Sequence, residues 1–388
     1  MIAPTKACLR TSIAAFAILP ALAVSLAACS EPVTGPPPLS DEALAAVTDN
    51  AATPKEDLAR AVDELFTKEG LGETRALLVM NDGQIAAERY GAGYDADTRM
   101  ISWSMAKTIT AVMIGMLVAD GRLKLDDSPP VALWQRPGDA RGEITLRQLL
   151  QMRSGLRHTE AGDPPYESSE VRMIFLDGRD DMAKWAEEQP LEAEPGAKFE
   201  YSSNTTVILA DIAARVLTED NDDPEFRAKT VRDYLQARLF GPLGMTSMEL
   251  EFDAAGTMIG GSLMHGTARD WAKMGEFLRR GGKASRGEQL VPKRWVDQML
   301  TPSPRAKHYG FQTWLNNDHR EAGSDEPHPL FPKRAPASTF SLIGHMGQYV
   351  VSSPEQRVTV VRLGHSDAPQ RRAMMNELAD IFELYPVR

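Results

Sequence analysis

From Thr108 to Ala119 the chain reads TITAVMIGMLVA, apolar on almost every face of the helix it would form. A surface helix keeps a polar side, so a helix without one must be surrounded, and this chain has to build a large domain around the run. Immediately ahead of it stand Ser104, Met105, Ala106 and Lys107. Positions three apart share a helix face, so Ser104 and Lys107 are expected to touch. Serine is a weak nucleophile at neutral pH and needs a neighbouring base. A lysine pressed against apolar surroundings loses affinity for its proton and can take that part. Free N–H groups at the helix start add positive character beside the hydroxyl. Two fixed positions recur by chance about once in a chain of this size, so the meaning of the pair depends on partners elsewhere.

Pro195 to Asn204 (PGAKFEYSSN) reads as a turn, a short extended piece and the cap of a helix running from Thr205 to Leu217. Tyr201 at the junction is placed to pass a proton between a lysine ammonium and a serine hydroxyl, provided the nearby positive charge lowers its own pKa. Nearer the C-terminus, Ser341 to Val351 (SLIGHMGQYVV) and Arg357 to Leu363 are β-rich runs around a polar turn containing Pro354, which predicts an antiparallel hairpin. Gly347 falls where a ligand backbone would approach closely, and the N–H of Gln348 is then expected to face a substrate carbonyl.

Ser-x-x-Lys, Tyr-Ser-Ser and His-x-Gly thus follow one another, accompanied by Ile144 to Leu156 (ITLRQLLQMRSGL), Pro242 to Met245 and Thr267 to Asp270. This set resembles the serine hydrolases of the β-lactamase and penicillin-binding-protein superfamily. The branch is that of the class C β-lactamases with their carboxylesterases, D-amino-peptidases and 6-aminohexanoate-dimer hydrolases. The resemblance covers residues 56–385. It implies an α+β fold of the β-lactamase/transpeptidase type, an α/β sandwich plus an all-helical region. It also implies acylation of Ser104, proton handling by Lys107 and Tyr201, and an oxyanion hole made by the N–H groups of Ser104 and Gln348. His345, Gly347 and Ser203 occupy the family's substrate-binding positions, and Trp314 falls on a segment that carries an aromatic near the acyl pocket. Class C β-lactamases usually read Tyr-x-Asn, where this chain has Ser203, and Lys-Thr-Gly, where it has His345-Met346-Gly347. The fixed cation and hydroxyl that hold a β-lactam carboxylate are therefore expected to be missing, and ester or amide hydrolysis is less affected. A β-lactamase, a D-Ala peptidase and a catalytically silent envelope-binding module on the same fold are the alternative readings.

The first thirty residues carry Lys6 and Arg10, an apolar run from Ser12 to Leu26, and the sequence Leu26-Ala27-Ala28-Cys29-Ser30. The charged start and short apolar stretch are those of a secretory signal, too short for a stable membrane span. The ending resembles a bacterial lipobox. This implies a signal peptide over residues 1–29, lipidation of Cys29, secretion across the inner membrane, and a periplasmic protein held to the outer membrane by its lipid. The other cysteine, Cys8, lies within the part to be removed, so the mature chain is expected to form no internal disulfide. A net charge of −11 without a basic stripe argues against nucleic-acid partners. The scattered histidines have no metal-ligand spacing, and neither metal nor cofactor is expected; the partners are a small ester or amide and the membrane reached through the lipid.

Residues 30–55, rich in Pro, Ala, Asp and Thr, read as a flexible linker. A helix is expected from Lys55 to Lys68, then a hairpin turning at Asn81-Asp82-Gly83-Gln84. Strands at both ends with helices between suggest one antiparallel sheet built from both termini, with a helical insertion over residues 135–255. Tyr309 to Leu315 alternates as a strand would. Trp314 on it reads equally as pocket wall or core. The long stretch Arg157 to Asp181, with two acidic patches, has the character of a binding loop, from which Tyr166 reaches the substrate or else packs on the surface.

Overall fold

Alternating burial explains the central sheet. In the computed structural model, which describes residues 38–317 and 329–388, six antiparallel strands run in the order β2-β1-β9-β8-β7-β6. The N-terminal part supplies β1 (Glu73–Asn81) and β2 (Gln84–Tyr90), and the C-terminal part supplies β6 (Trp314–Leu315), β7 (Phe340–Gly344), β8 (Gln348–Ser353) and β9 (Val358–His365). Side chains alternate across each strand. Leu77, Val79, Tyr349, Val351, Val358 and Val360 face the N- and C-terminal helices Lys55–Thr67 and Ala368–Glu383. Ala76, Leu78, Val350, Val361 and Leu363 face the larger core on the other side. Both faces of the sheet are thus covered, which is why its strands read as nearly continuous apolar runs.

The apolar run becomes the helix Ala106–Ala119, with every residue from Ala106 to Leu117 buried. It lies against the helix Ser203–Thr218, itself almost wholly buried. On another side the Trp295 indole lies so close that a Cβ on Gly115 would stand 2.2 Å from it. The helix Ala268–Arg279 fills the space between this helical region and the sheet, and Gly275 lets it approach Thr359 and Val350. A small sheet of β3 (Met100–Ile101), β5 (Met264–Gly266) and β4 (Glu249–Leu250), in that order, brings the residues before Ser104 to the rim.

Three expectations change. The linker expected over residues 30–55 is folded from Ser40 onward: Ser40 caps the helix Asp41–Ala45, and Ala43, Val47 and Ala51 are buried. Val47 bridges to Ala87 beside the sheet. Cys29 and the signal segment lie outside the described residues. The run from Ser341 to Val351 is not one strand but a hairpin, because Met346 (φ 57°) and Gly347 (φ 82°) turn the chain back on itself. The Tyr309–Leu315 alternation yields only the short β6. There Gln312 (φ 53°) leaves the extended path and inserts between helices, where it accepts from Thr206 Oγ1 at 2.7 Å and donates to Leu150 O at 3.1 Å. Among the described residues no helix is long and apolar enough to cross a membrane.

Candidate active site

Ser104 sits in the single turn Trp103–Met105 that leads into the buried helix. Trp103, just before it, holds φ at 47°, a left-handed conformation rare for so large a residue and typical of functional turns. One helical turn on, Lys107 is 1% exposed. Its Nζ donates to Ser104 Oγ at 2.9 Å, Ser203 Oγ at 2.7 Å and the Gly261 carbonyl at 2.8 Å. The Tyr201 phenol lies near enough to Ser104 and Lys107 for both to bear on its proton. Its ring stands 4.9 Å from Lys107 Nζ and packs on Tyr309 and Trp314. The three residues singled out for nucleophile and proton transfer are therefore brought together.

The electrostatics differ from the simple expectation. Burial pulls the Lys107 pKa down, but the Tyr201 oxygen and the carboxyl groups of Glu160 and Glu170 outweigh it and leave the ammonium as the favoured form. Burial likewise pushes the Tyr201 phenol above its ordinary value, against the opposing pull of Lys107. The lowered tyrosine pKa expected from the sequence is not found. The resting site holds both protons, and a proton must leave the pair before Ser104 can be activated.

Beside this group lies a cavity of about 550 Å³ whose lining includes Trp103, Ser104, Tyr201, Trp314, Ile343, Gly344, His345 and Arg371. Gly344 is required here, since a Cβ would stand 2.2 Å from the Ser102 carbonyl. Thr339 accepts from Asn316 N, so its carbonyl points toward β6. Alternation then turns Phe340, Leu342 and Gly344 toward β8, where Gly344 is paired with Gln348. The Gln348 N–H is spent inside that hairpin, and its buried side chain bonds to Gly364 and His345. By the same alternation the His345 N–H points to the open edge of β7, beyond the end of β6, where the strand meets the Trp103–Met105 turn. The amide placed for an oxyanion is therefore that of His345 rather than Gln348.

Other sequence-derived positions separate. Trp314 is pocket wall and stacks with His308. The His345 side chain is exposed, edge-on to Trp103 at 5.4 Å. Partial burial, with Arg371 and His365 adding to it, lowers its pKa, so the imidazole is neutral at pH 7. Gly347 does not line the cavity; its missing Cβ makes room for the Arg362 guanidinium, which donates to its carbonyl. Ser203 is fully buried beneath Lys107 and makes no cavity surface. Tyr166, 60% exposed, does not line the cavity, whereas its neighbour Pro165 does.

Four residues escaped the sequence reading. Gly261 supplies a carbonyl to Lys107. Glu160 and Glu170 surround Ser203 and face Lys107; the acidic patches of the long loop were the available signal. Arg371, on the C-terminal helix, brings to the cavity a cation that the motifs do not supply, and its Nε is buried without a partner among the described residues.

Residues 59–383 match the Beta-lactamase family, and the chain belongs to that family. Its similarity lies with the hydrolases of the family's class C-like branch. The 6-aminohexanoate-dimer hydrolase of Paenarthrobacter ureafaciens is 27% identical over 276 residues, covering 66% of this chain. The match spans only 65% of that enzyme's length. In fold the chain is similar to EstCE1, a hydrolase with promiscuous acyltransferase activity (TM-score 0.61, 18% identity, 84% of this chain and 99% of that one). It is also similar to a family VIII carboxylesterase (TM-score 0.59, 16% identity, 85% and 97%).

Proposed function

We propose that the protein cleaves a small ester or amide through an acyl-enzyme on Ser104. The observation that carries this is the contact of Ser104 Oγ with a fully buried lysine at 2.9 Å, at the edge of a cavity lined by Tyr201 and Trp314. In this reading the Lys107–Tyr201 pair, short of one proton, accepts the Ser104 proton as Oγ attacks the carbonyl carbon. It then delivers that proton to the departing alcohol or amine. The N–H groups of Ser104 and His345 hold the developing oxyanion. Water, deprotonated by the same pair, releases the acid and restores the serine. Because the two groups titrate together, the active form belongs to the pair and not to either residue alone. The named relatives, an esterase and a 6-aminohexanoate-dimer hydrolase, support the ester and amide classes respectively.

The test is a panel of p-nitrophenyl esters, aminohexanoate dimer, D-Ala dipeptide and nitrocefin, together with labelling by a fluorophosphonate. Ser104→Ala is expected to abolish turnover and labelling while keeping the fold; a mutant that is still labelled removes the reading. The proposed address is a lipid on Cys29, supported by Leu26-Ala27-Ala28-Cys29 after a short apolar stretch. The protein should fractionate with membranes and become soluble as Cys29→Ala, since two or more acyl chains anchor stably. A wild type found in the soluble periplasm would overturn it.

A further inference from the structure

The buried hydroxyl of Ser203 has more neighbours than one proton can serve. Its Oγ lies 2.7 Å from Lys107 Nζ, 2.7 Å from Glu160 Oε1 and 3.0 Å from Glu170 Oε1. The lysine, held as ammonium, donates into one lone pair. The hydroxyl has a single hydrogen and donates it to one carboxylate. The other carboxyl then faces a lone pair and can bond only by bringing its own proton.

Geometry decides which carboxyl that is. Glu160 accepts the Ser203 backbone N–H at 2.6 Å through Oε2 and the Ser203 hydroxyl through Oε1, and it stands 3.7 Å from the ammonium. This is a carboxylate clamped on the first residue of the helix Ser203–Thr218, where donors and the helix dipole favour a negative charge. Glu170 meets two hydroxyls, Ser203 at 3.0 Å and, at 3.4 Å, Ser262, whose one proton is shared between Glu170 and the equally distant Ser203 Oγ. No backbone N–H or cation is bonded to it among the described residues. We propose that Glu160 and Glu170 form a one-proton carboxyl pair, Glu160 the anion and Glu170 the acid that donates to Ser203, and that this pair sets how tightly Lys107 holds its proton.

The neighbours agree. Burial, and after it the charge of Glu160, push the Glu170 pKa up to about 7, with Lys107 and the two serines pulling the other way. Around the pair stand Lys107 from the buried helix, Tyr201 before the Ser203 helix, His345 from the hairpin turn and Arg371 from the C-terminal helix. Of these, His345 is neutral at pH 7. When Glu170 loses its proton, a second negative charge faces the ammonium and the Lys107–Tyr201 pair releases its proton less readily. Both glutamates act through Lys107 and are positioning residues. The idea rests on the ester or amide chemistry proposed for Ser104 only in its kinetic consequence.

Glu170→Gln tests it, because the amide keeps a donor for Ser203 and can never become an anion. The pH at half-maximal kcat/KM for p-nitrophenyl butyrate should fall by about one unit relative to wild type. Glu170→Ala, which removes the donor, should lose at least about tenfold at every pH, and the glutamine should recover most of that loss. A second readout needs no activity. The unfolded chain ionises Glu170 near its ordinary value, whereas the folded one does so only at about 7, so Glu170 costs stability progressively as pH rises between the two. The denaturation midpoint of Glu170→Gln should therefore gain on wild type from pH 5 to pH 8. A gap that stays flat over that range, or a glutamine profile that superimposes on wild type, overturns the carboxyl pair. A wild type without esterase activity but with a widening gap would leave the pair standing and remove the proposed hydrolysis instead.

Discussion

The floor of the site and its wall are built by opposite means. Beneath Ser104, the buried Lys107, Ser203 and Gly261 carbonyl and the partly buried Glu160 and Glu170 are linked by contacts of 2.6–3.0 Å. Around the cavity, Trp103, Trp314 and His345 touch mainly ring to ring, and Arg371 leaves its Nε unbonded among the described residues. A buried polar network tolerates no missing member, because each orphaned group keeps its full desolvation penalty. An aromatic wall can change shape with smaller losses. The difference assigns proton chemistry to the floor and substrate choice to the wall, so floor variants should fail on every substrate and wall variants should re-rank substrates.

The largest effect tests the floor. Lys107→Ala and Tyr201→Phe are each expected to lower kcat/KM by about 10³-fold or more on esters and amides alike, and the double variant to lose little beyond either, since groups that act as a unit give non-additive losses. Multiplicative losses would mean two independent roles. Near-normal turnover by Tyr201→Phe would leave the lysine as sole base and break the pair.

The floor also sets the pH dependence. Lys107 and Tyr201 both hold their protons more tightly than usual. The active form has lost one, so kcat/KM should rise with pH and still be rising on the alkaline side of neutrality. A profile already flat below pH 7 would show that a proton had left the pair earlier than the burial and charges around it allow.

What was legible in the sequence follows the same division. Ser104 and Lys107 lie three apart on one helix, so local spacing was enough, and the both-termini sheet followed from apolar runs at the two ends of the domain. The role of Ser203 was misread because a hydroxyl at a substrate-binding position looks alike whether it faces the cavity or the core. Its burial is decided by Glu160 and Glu170, more than thirty residues away in sequence. The exchange of Gln348 for His345 has a similar cause. Met346 and Gly347 place a turn where the composition reads as unbroken strand, and that turn sends the Gln348 amide into the ladder. Arg371 belongs to an amphipathic helix whose residues carry no motif, and only packing brings it to the cavity.

On the wall, the neutral His345 and the permanent cation of Arg371 make opposing demands. With His345 alone, uncharged esters would be favoured over anionic substrates. Arg371 reduces that preference, and Arg371→Ala should restore it, shifting the ratio of p-nitrophenyl butyrate to nitrocefin turnover by about tenfold toward the ester. His345→Lys should move the ratio the other way while leaving its backbone N–H in place. Equal losses on both substrates in either variant would mean that these residues belong with the floor.

The smallest effect is expected at Tyr166, and it shows where the wall ends. Its side chain is 60% exposed on the short turn Pro165–Glu167, and only the neighbouring Pro165 reaches the cavity. An exposed ring that touches no substrate makes no contact that strengthens in the transition state, so its removal has nothing to raise the barrier with. Tyr166→Ala should therefore change kcat/KM on short esters by less than about twofold, within the usual range of surface substitutions. The measurement is the same ester series with acyl chains of increasing length. A loss that grows with chain length would place the tyrosine over the bound acyl group, and the wall would then include a turn that closes on long substrates.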